Sequence, residues 1–194
     1  MSKLIRCTWA ENTSPEYIKY HDEEWGVAVH DDKIHFEFLI LESAQAGLSW
    51  ATILKRREGY RKAFADFDPV KVARFDEYKI QELLQFKGII RNKLKVRAAI
   101  NNAQKFLEIQ EEFGSFDNYV WRFVNGKPIV GNWETSEEVP TTTAQSEALS
   151  KDLKKPGFKF VGSAIIYAYM QACRLVNDHI VQCFRYAEIL KNRI

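Results

Sequence analysis

A chain of 194 residues with 46% hydrophobic and 28% charged residues has the makeup of one globular domain, long enough to bury a substantial core. The net charge of +2 neither demands nor forbids a nucleic-acid partner, which depends on whether basic residues cluster locally. Three cysteines argue against a disulfide framework and for a reducing compartment, with Cys173 expected as a buried thiol. No apolar run approaches the ~18 residues of a membrane span, and MSKLIRCTW lacks the apolar stretch of a secretory signal, so the expected location is the cytoplasm and no membrane partner is expected.

In chain order, Ser14-Pro15-Glu16 supplies a cap, a proline at the first helical position and an acid in the first turn, predicting a short helix through Tyr17, Tyr20 and His21. Asp31 and Asp32 open a longer helix, with Ile34, Phe38 and Leu41 at helical spacing up to Gly47. SWATILKRREGYRKAF reads as a further helix. Asp68-Pro69 is a second cap-plus-proline start, and Asp76 precedes EYKIQELLQF, which ends before Gly88. A long helix with a basic start follows Gly88 and stops at Gly114. Phe116 to Val124 is helical and closed by Asn125-Gly126.

Residues 127–143 carry Pro128, Gly131, Pro140 and several threonines, and form the one long connection, a loop with room for a functional role. Helix resumes over 146–155, breaks at Pro156-Gly157, and is expected to run from Ser163 through MQACRLVNDHIVQC. The whole reads as all-α, a single domain spanning 1–194.

Four groups of residues carry chemistry. Glu42 sits in a helical row with Phe38, Leu39 and Ala46, so its carboxylate either meets a buried donor or a cationic ligand, or has a raised pKa; a structural hydrogen bond is the competing reading. Trp9, Tyr17, Tyr20, Trp25 and Trp50 surround it in sequence. Aromatics at helical spacing are usually core, yet two tyrosines and an acid among them offer stacking faces and hydrogen bonds to a planar, electron-poor ring.

In LLQFKGIIRNKLK, a helix ending near Gly88 and another beginning soon after, with Arg91, Asn92, Lys93 and Lys95 at the turn, suit a hairpin near 83–97 that clamps a phosphate; a plain solvated basic face fits the same pattern. Finally, Cys7 and His21 near the start pair in type with His179 and Cys183 near the end. The latter two, four apart, would share one helical face, and the set suits a closed tetrahedral zinc; taken singly, such residues are more often a buried thiol or a satisfied histidine.

Across YHDEEWGV (20–27), LESAQAGLSWATILKRRE (41–58), FDPVKVA (67–73), GIIRNKLKV (88–96), LSKDLKKPGFKFVG (149–162) and MQACRLVNDH (170–179), the chain resembles the bacterial type I DNA-3-methyladenine glycosylases, all-helical members of the helix-hairpin-helix superfamily. The resemblance covers nearly the whole sequence. It implies a structural zinc on Cys7, His21, His179 and Cys183 that joins the two terminal segments. It also implies that Glu42 and Tyr17 read the base, that Tyr20 and Trp50 stack on it with Trp9 and Trp25 in or near the pocket, and that Gly88, Arg91, Asn92 and Lys93 meet the DNA backbone.

The implied activity is hydrolysis of the N-glycosidic bond of 3-methyladenine in double-stranded alkylated DNA, by a monomer without lyase activity. Four positions depart from the family pattern: Pro156, Ser163, Ala164 and Arg174. Ser163 is expected still to cap the helix that follows, and Arg174 to alter packing near the zinc.

Overall fold

The computed structural model describes residues 4–191, and within them the chain is mostly helical. Eleven α-helices are described: α1 (Pro15–Lys19), α2 (Asp32–Gln45), α3 (Trp50–Leu54), α4 (Arg57–Ala63), α5 (Pro69–Val72), α6 (Glu77–Gln85), α7 (Lys93–Phe113), α8 (Phe116–Trp121), α9 (Ala144–Lys154), α10 (Ser163–Ala172) and α11 (Phe184–Lys191). No helix among the described residues is long and apolar enough to cross a membrane.

Many of the starts are set by short polar side chains that accept from otherwise unsatisfied backbone N–H groups. Ser14, Asp31, Ser49, Asp68, Asp76, Asn92 and Ser115 each cap the helix that follows, and Thr143 forms a reciprocal capping box with Ser146. Each cap stabilises its helix by about 1 kcal/mol. The expected helix at 163 begins differently, because Gly162 occupies the cap position and makes no side-chain bond while Ser163 is already the first helical residue. Ser163 therefore does not cap.

The centre of the fold is α2. Every residue from His35 to Ala44 is buried, so this helix is enclosed on all sides rather than along one stripe, as befits a core element. Helices α10, α7, α8 and α3 pack around it. Its C-terminal carbonyls are closed by a side chain from elsewhere: Lys95 Nζ donates to Ala44 O at 2.8 Å and to Ala46 O at 2.6 Å.

Between α6 and α7 the chain turns over residues 86–92. A Cβ on Gly59 would fall 2.1 Å from the Gly88 carbonyl oxygen, so α4 approaches this turn as bare backbone, and the Tyr60 hydroxyl accepts from Ile90 N–H at 3.2 Å. The long helix expected directly after Gly88 starts later, at Lys93, because Asn92 takes the cap. SWATILKRREGYRKAF likewise divides into α3 and α4 around residues 55–56.

Two corrections concern the C-terminal region. The helix expected to run through Cys183 ends at Ala172, where Cys173 closes α10 and Arg174 adopts a left-handed φ of 61°. The chain then enters a two-residue strand, β2 (Val176–Asn177), parallel to β1 (Ile129–Val130) of the long 127–143 connection, with Ile129 opposite Val176. His179 and Cys183 therefore lie in a loop and turn before α11, not on one helical face.

Candidate functional site

Two buried carboxylates leave α2 in different circumstances. Glu37 is met by Arg57 Nε at 2.7 Å and by Arg61 at 3.1 Å. Glu42, 4% exposed, has no such partner: its Oε2 is buried without a hydrogen bond among the described residues, and burial alone pushes its pKa up to about 8. Trp50 Nε1 is likewise buried and unpartnered. Both side chains line a cavity of about 270 Å³ together with Trp9, Tyr17, Tyr20 and Trp25. All six residues expected from sequence to form a base pocket thus share one cavity wall.

The rings form a continuous framework. Tyr20 and Trp50 lie with centroids 5.3 Å apart, and Trp9 meets Tyr17 edge-on at 5.5 Å and Trp25 at 4.9 Å. Tyr17 and Tyr20 are held as neutral phenols by burial and by the nearby Glu42. Tyr17 leaves α1, whereas Tyr20 and His21 belong to a wider π-type turn over Tyr20–Glu24, so the expected single helix changes pitch between them.

Sequence reasoning missed Gln45, Ser136, Val139, Ala168, Gln171 and Asp178, which complete the lining. Gln45 follows Glu42 by three on α2, a spacing that could have exposed it. Ser136 and Val139 come from the long connection and carry no local signal. Asp178 adjoins His179 in NDH, where nothing local marks it as a wall residue.

Behind the pocket lies the cysteine–histidine cluster. Candidate ligand atoms of Cys7, His21 and Cys183, all buried, lie within 4.8 Å of one another. His21 Nε2 is 3.5 Å from Cys183 Sγ, while its Nδ1 faces Asp22 Oδ1 at 2.8 Å, and Asp22 is gripped in turn by Arg6. His179 falls outside that group of three but its ring centroid is 5.2 Å from that of His21. Its Nδ1 faces Asn177 Oδ1 at 3.0 Å, which leaves Nε2 buried and unpartnered.

Burial, aided by His21 and Arg185, lowers the His179 pKa to about 2 and keeps the imidazole neutral. The hydrogen bond from Cys7 pulls Cys183 down to about 5 despite burial, favouring a thiolate. Gly26 leaves room for this: a Cβ there would come 2.7 Å from His179 Cε1. Trp9 and Trp25 touch both regions, packing on His21 at 5.1 Å and on His179 at 4.4 Å respectively.

At the 86–92 turn, Arg91 and Lys93 are exposed, whereas Asn92 spends its side-chain oxygen on capping Leu94 and Lys95 N–H groups. Gly88 is pressed between Gly59 and the Phe86 ring, where a Cβ would collide at 2.4 Å. Cys173 is fully buried, as expected.

This mostly helical chain, with its aromatic box around the unpartnered Glu42 carboxylate, matches the family model of the methyladenine glycosylases over residues 9–186, and it belongs to that family. It is 52% identical over 183 residues to DNA-3-methyladenine glycosylase 1 of Escherichia coli, an alignment covering 94% of this chain and 97% of that one. A crystal structure of a 3-methyladenine DNA glycosylase I superposes with a TM-score of 0.90 at 49% identity, covering 93% and 98% of the two chains. A variant of such an enzyme in complex with 3-methyladenine superposes with a TM-score of 0.89 at 39% identity, covering 92% and 96%.

Proposed function

We propose that this chain is a DNA repair glycosylase that hydrolyses the N-glycosidic bond of 3-methyladenine in double-stranded alkylated DNA, leaving an abasic site. The observation that carries the reading is the unpartnered Glu42 carboxylate, buried inside a box of aromatic rings, in a chain of this family. N3-methylation makes adenine cationic while it is attached to the sugar. A cation seated beside Glu42 favours the ionised carboxylate that burial otherwise disfavours, so the pocket selects charge and shape together.

The damaged nucleotide leaves the duplex and enters between the rings, with Tyr20 and Trp50 stacking and Glu42 and Tyr17 hydrogen bonding to the base. The glycosidic bond then breaks with its electron pair going to the base, which departs neutral. Water adds to the anomeric carbon of the oxocarbenium-like sugar and loses its proton to solvent. Little acid assistance is needed because the leaving group already carries the charge. The proposed reaction is hydrolysis by water, with no amine nucleophile and no lyase step.

Cys7, His21, Cys183 and His179 suit a tetrahedral zinc: two thiols, and two imidazoles each with Nδ1 engaged and Nε2 buried. A metal held there would act structurally, joining the N- and C-terminal segments. The α6–turn–α7 unit is the proposed helix-hairpin-helix, with Gly88 and Asn92 shaping it and Arg91 and Lys93 facing DNA phosphate. The chain is proposed to work as a monomer and single domain in the cytoplasm.

Incubation with methylated duplex DNA, followed by chromatography of the released bases, tests the reading. Free 3-methyladenine is expected, and its absence at high enzyme concentration overturns it.

A further inference from the structure

A second buried carboxylate lines the pocket, one that the proposed recognition of the base does not use. Asp178 is 4% exposed and accepts three hydrogen bonds. Its Oδ1 takes Trp133 Nε1–H at 2.7 Å; its Oδ2 takes the Tyr167 hydroxyl at 2.5 Å and Gln171 Nε2 at 2.9 Å. Gln171 lines the cavity from α10. Trp133 belongs to the 127–143 connection, whose Ser136 and Val139 line the same cavity. One side chain therefore ties together two stretches of wall that are distant in sequence.

The surroundings are built around this contact. A Cβ on Gly131 would fall 2.1 Å from Trp133 Nε1 and 2.7 Å from Asp178 Oδ1, so the indole reaches the carboxylate only across bare backbone. Gly131 N–H donates to Asn177 O at 2.9 Å, and Val181 N–H donates to Trp133 O at 2.9 Å. The backbone on either side of the indole is thus fixed to the strand and loop that carry Asp178. Beyond it, the Ser136 hydroxyl meets Thr8 Oγ1 at 2.8 Å. A desolvated carboxylate with three donors is costly to disturb, because any lost donor leaves charge uncompensated.

We propose that Asp178 is a positioning residue that, through Trp133 and Gln171, fixes the wall formed by the 127–143 connection and so sets the size of base the pocket admits. The inference rests on the glycosylase reading above. It identifies the long connection as a specificity element rather than a passive crossover.

Methylated duplex DNA contains two suitable probes, 3-methyladenine and 7-methylguanine. Both are cationic while attached to the sugar, but guanine carries two exocyclic groups and needs more room. Released bases are quantified for the wild type, Trp133→Phe and Asp178→Asn, with the thermal midpoint of each. Trp133→Phe keeps an aromatic ring while removing the N–H donor to Asp178 together with one ring of the indole. It is expected to raise KM for 3-methyladenine sites about three- to tenfold with kcat little changed, and to lower the 3-methyladenine to 7-methylguanine preference about tenfold.

Asp178→Asn, which turns an amide toward one of three donors, is expected to shift both quantities further the same way; should it fail to fold, Trp133→Phe still decides. A purely structural role would lower release of both bases in proportion, leaving preference and KM unchanged, and that result overturns the proposal. A wild type that releases neither base instead sinks the glycosylase reading itself.

Discussion

The aromatic pocket and the cysteine–histidine cluster stand side by side, share Trp9 and Trp25, and each contains a buried polar atom without a hydrogen-bond partner among the described residues: Glu42 Oε2 in one, His179 Nε2 in the other. They differ in what surrounds that atom. Glu42 faces a cavity large enough for a purine, with nothing fixing its carboxylate from behind. His179 is packed against Trp25 and His21 and has its second nitrogen engaged by Asn177. An orphaned group in an open box awaits a guest that comes and goes, whereas one in a closed, oriented cluster awaits a resident. Glu37, on the same helix and answered by two arginines, shows the third case, in which the partner is already in the chain.

The strongest way to break this contrast is to remove a ligand of the proposed resident. Cys183→Ala should abolish stoichiometric zinc, measured by elemental analysis, and lower the thermal midpoint by roughly 10 °C or more, since structural metal binding contributes directly to folding. Release of base per folded molecule should fall much less. Lost activity with an unchanged midpoint would instead put the metal in the chemistry.

Next in size is the guest's partner. Glu42→Gln keeps shape and removes charge, so kcat/KM for 3-methyladenine release should fall about 10- to 100-fold, the worth of one buried charge-assisted interaction. Unchanged affinity for free 3-methyladenine by calorimetry would count against Glu42 as the reader of the base.

The same carboxylate gives a pH signature. Its folded pKa of about 8 lies above the ordinary 4.5, so between these values the folded state holds a proton that the unfolded state has lost. Stability contributed by the protonated form is complete below about 4.5 and declines by a few kcal/mol as pH rises through about 8. Glu42→Gln should therefore gain thermal stability over the wild type at pH 9 and little at pH 5. Because the cationic nucleobase favours the ionised form, wild-type kcat/KM should climb with pH through about 8, and this limb should vanish in the variant.

How much of this is legible in the sequence depends on the reach of each signal. Helix starts are legible because Ser14, Asp31, Asp68 and Asp76 act on N–H groups two or three residues away. Glu42 stands out because its neighbours on the helix are apolar; Glu37 does not, although it is equally buried, because its arginines come from α4. The end of α10 escapes detection because MQACRLVNDHIVQC keeps a helical pattern while Arg174 adopts a left-handed φ and Val176 pairs with Ile129 from far along the chain. Asp178 is invisible as a site residue for the same reason: its donors arrive from Trp133, Tyr167 and Gln171 only once the chain is folded.

The finest test of inside against outside partners lies just after the 86–92 turn, in the first residues of α7, where two lysines two residues apart read alike in sequence. Lys93 is exposed at the start of α7, whereas Lys95 is drawn inward to close α2 through Ala44 and Ala46, and burial lowers its pKa. If Lys93 meets phosphate, Lys93→Gln should weaken binding to any duplex and reduce the slope of log affinity against log salt by about 0.9, with stability nearly unchanged. Lys95→Gln should leave that slope intact and cost about 1–2 kcal/mol of stability, because two carbonyls at the end of a buried helix lose a charged donor. It should also loosen the turn that follows Glu42, raising KM slightly. Equal salt slopes for both variants and the wild type would remove the phosphate role from Lys93, and equal stabilities would remove the capping role from Lys95.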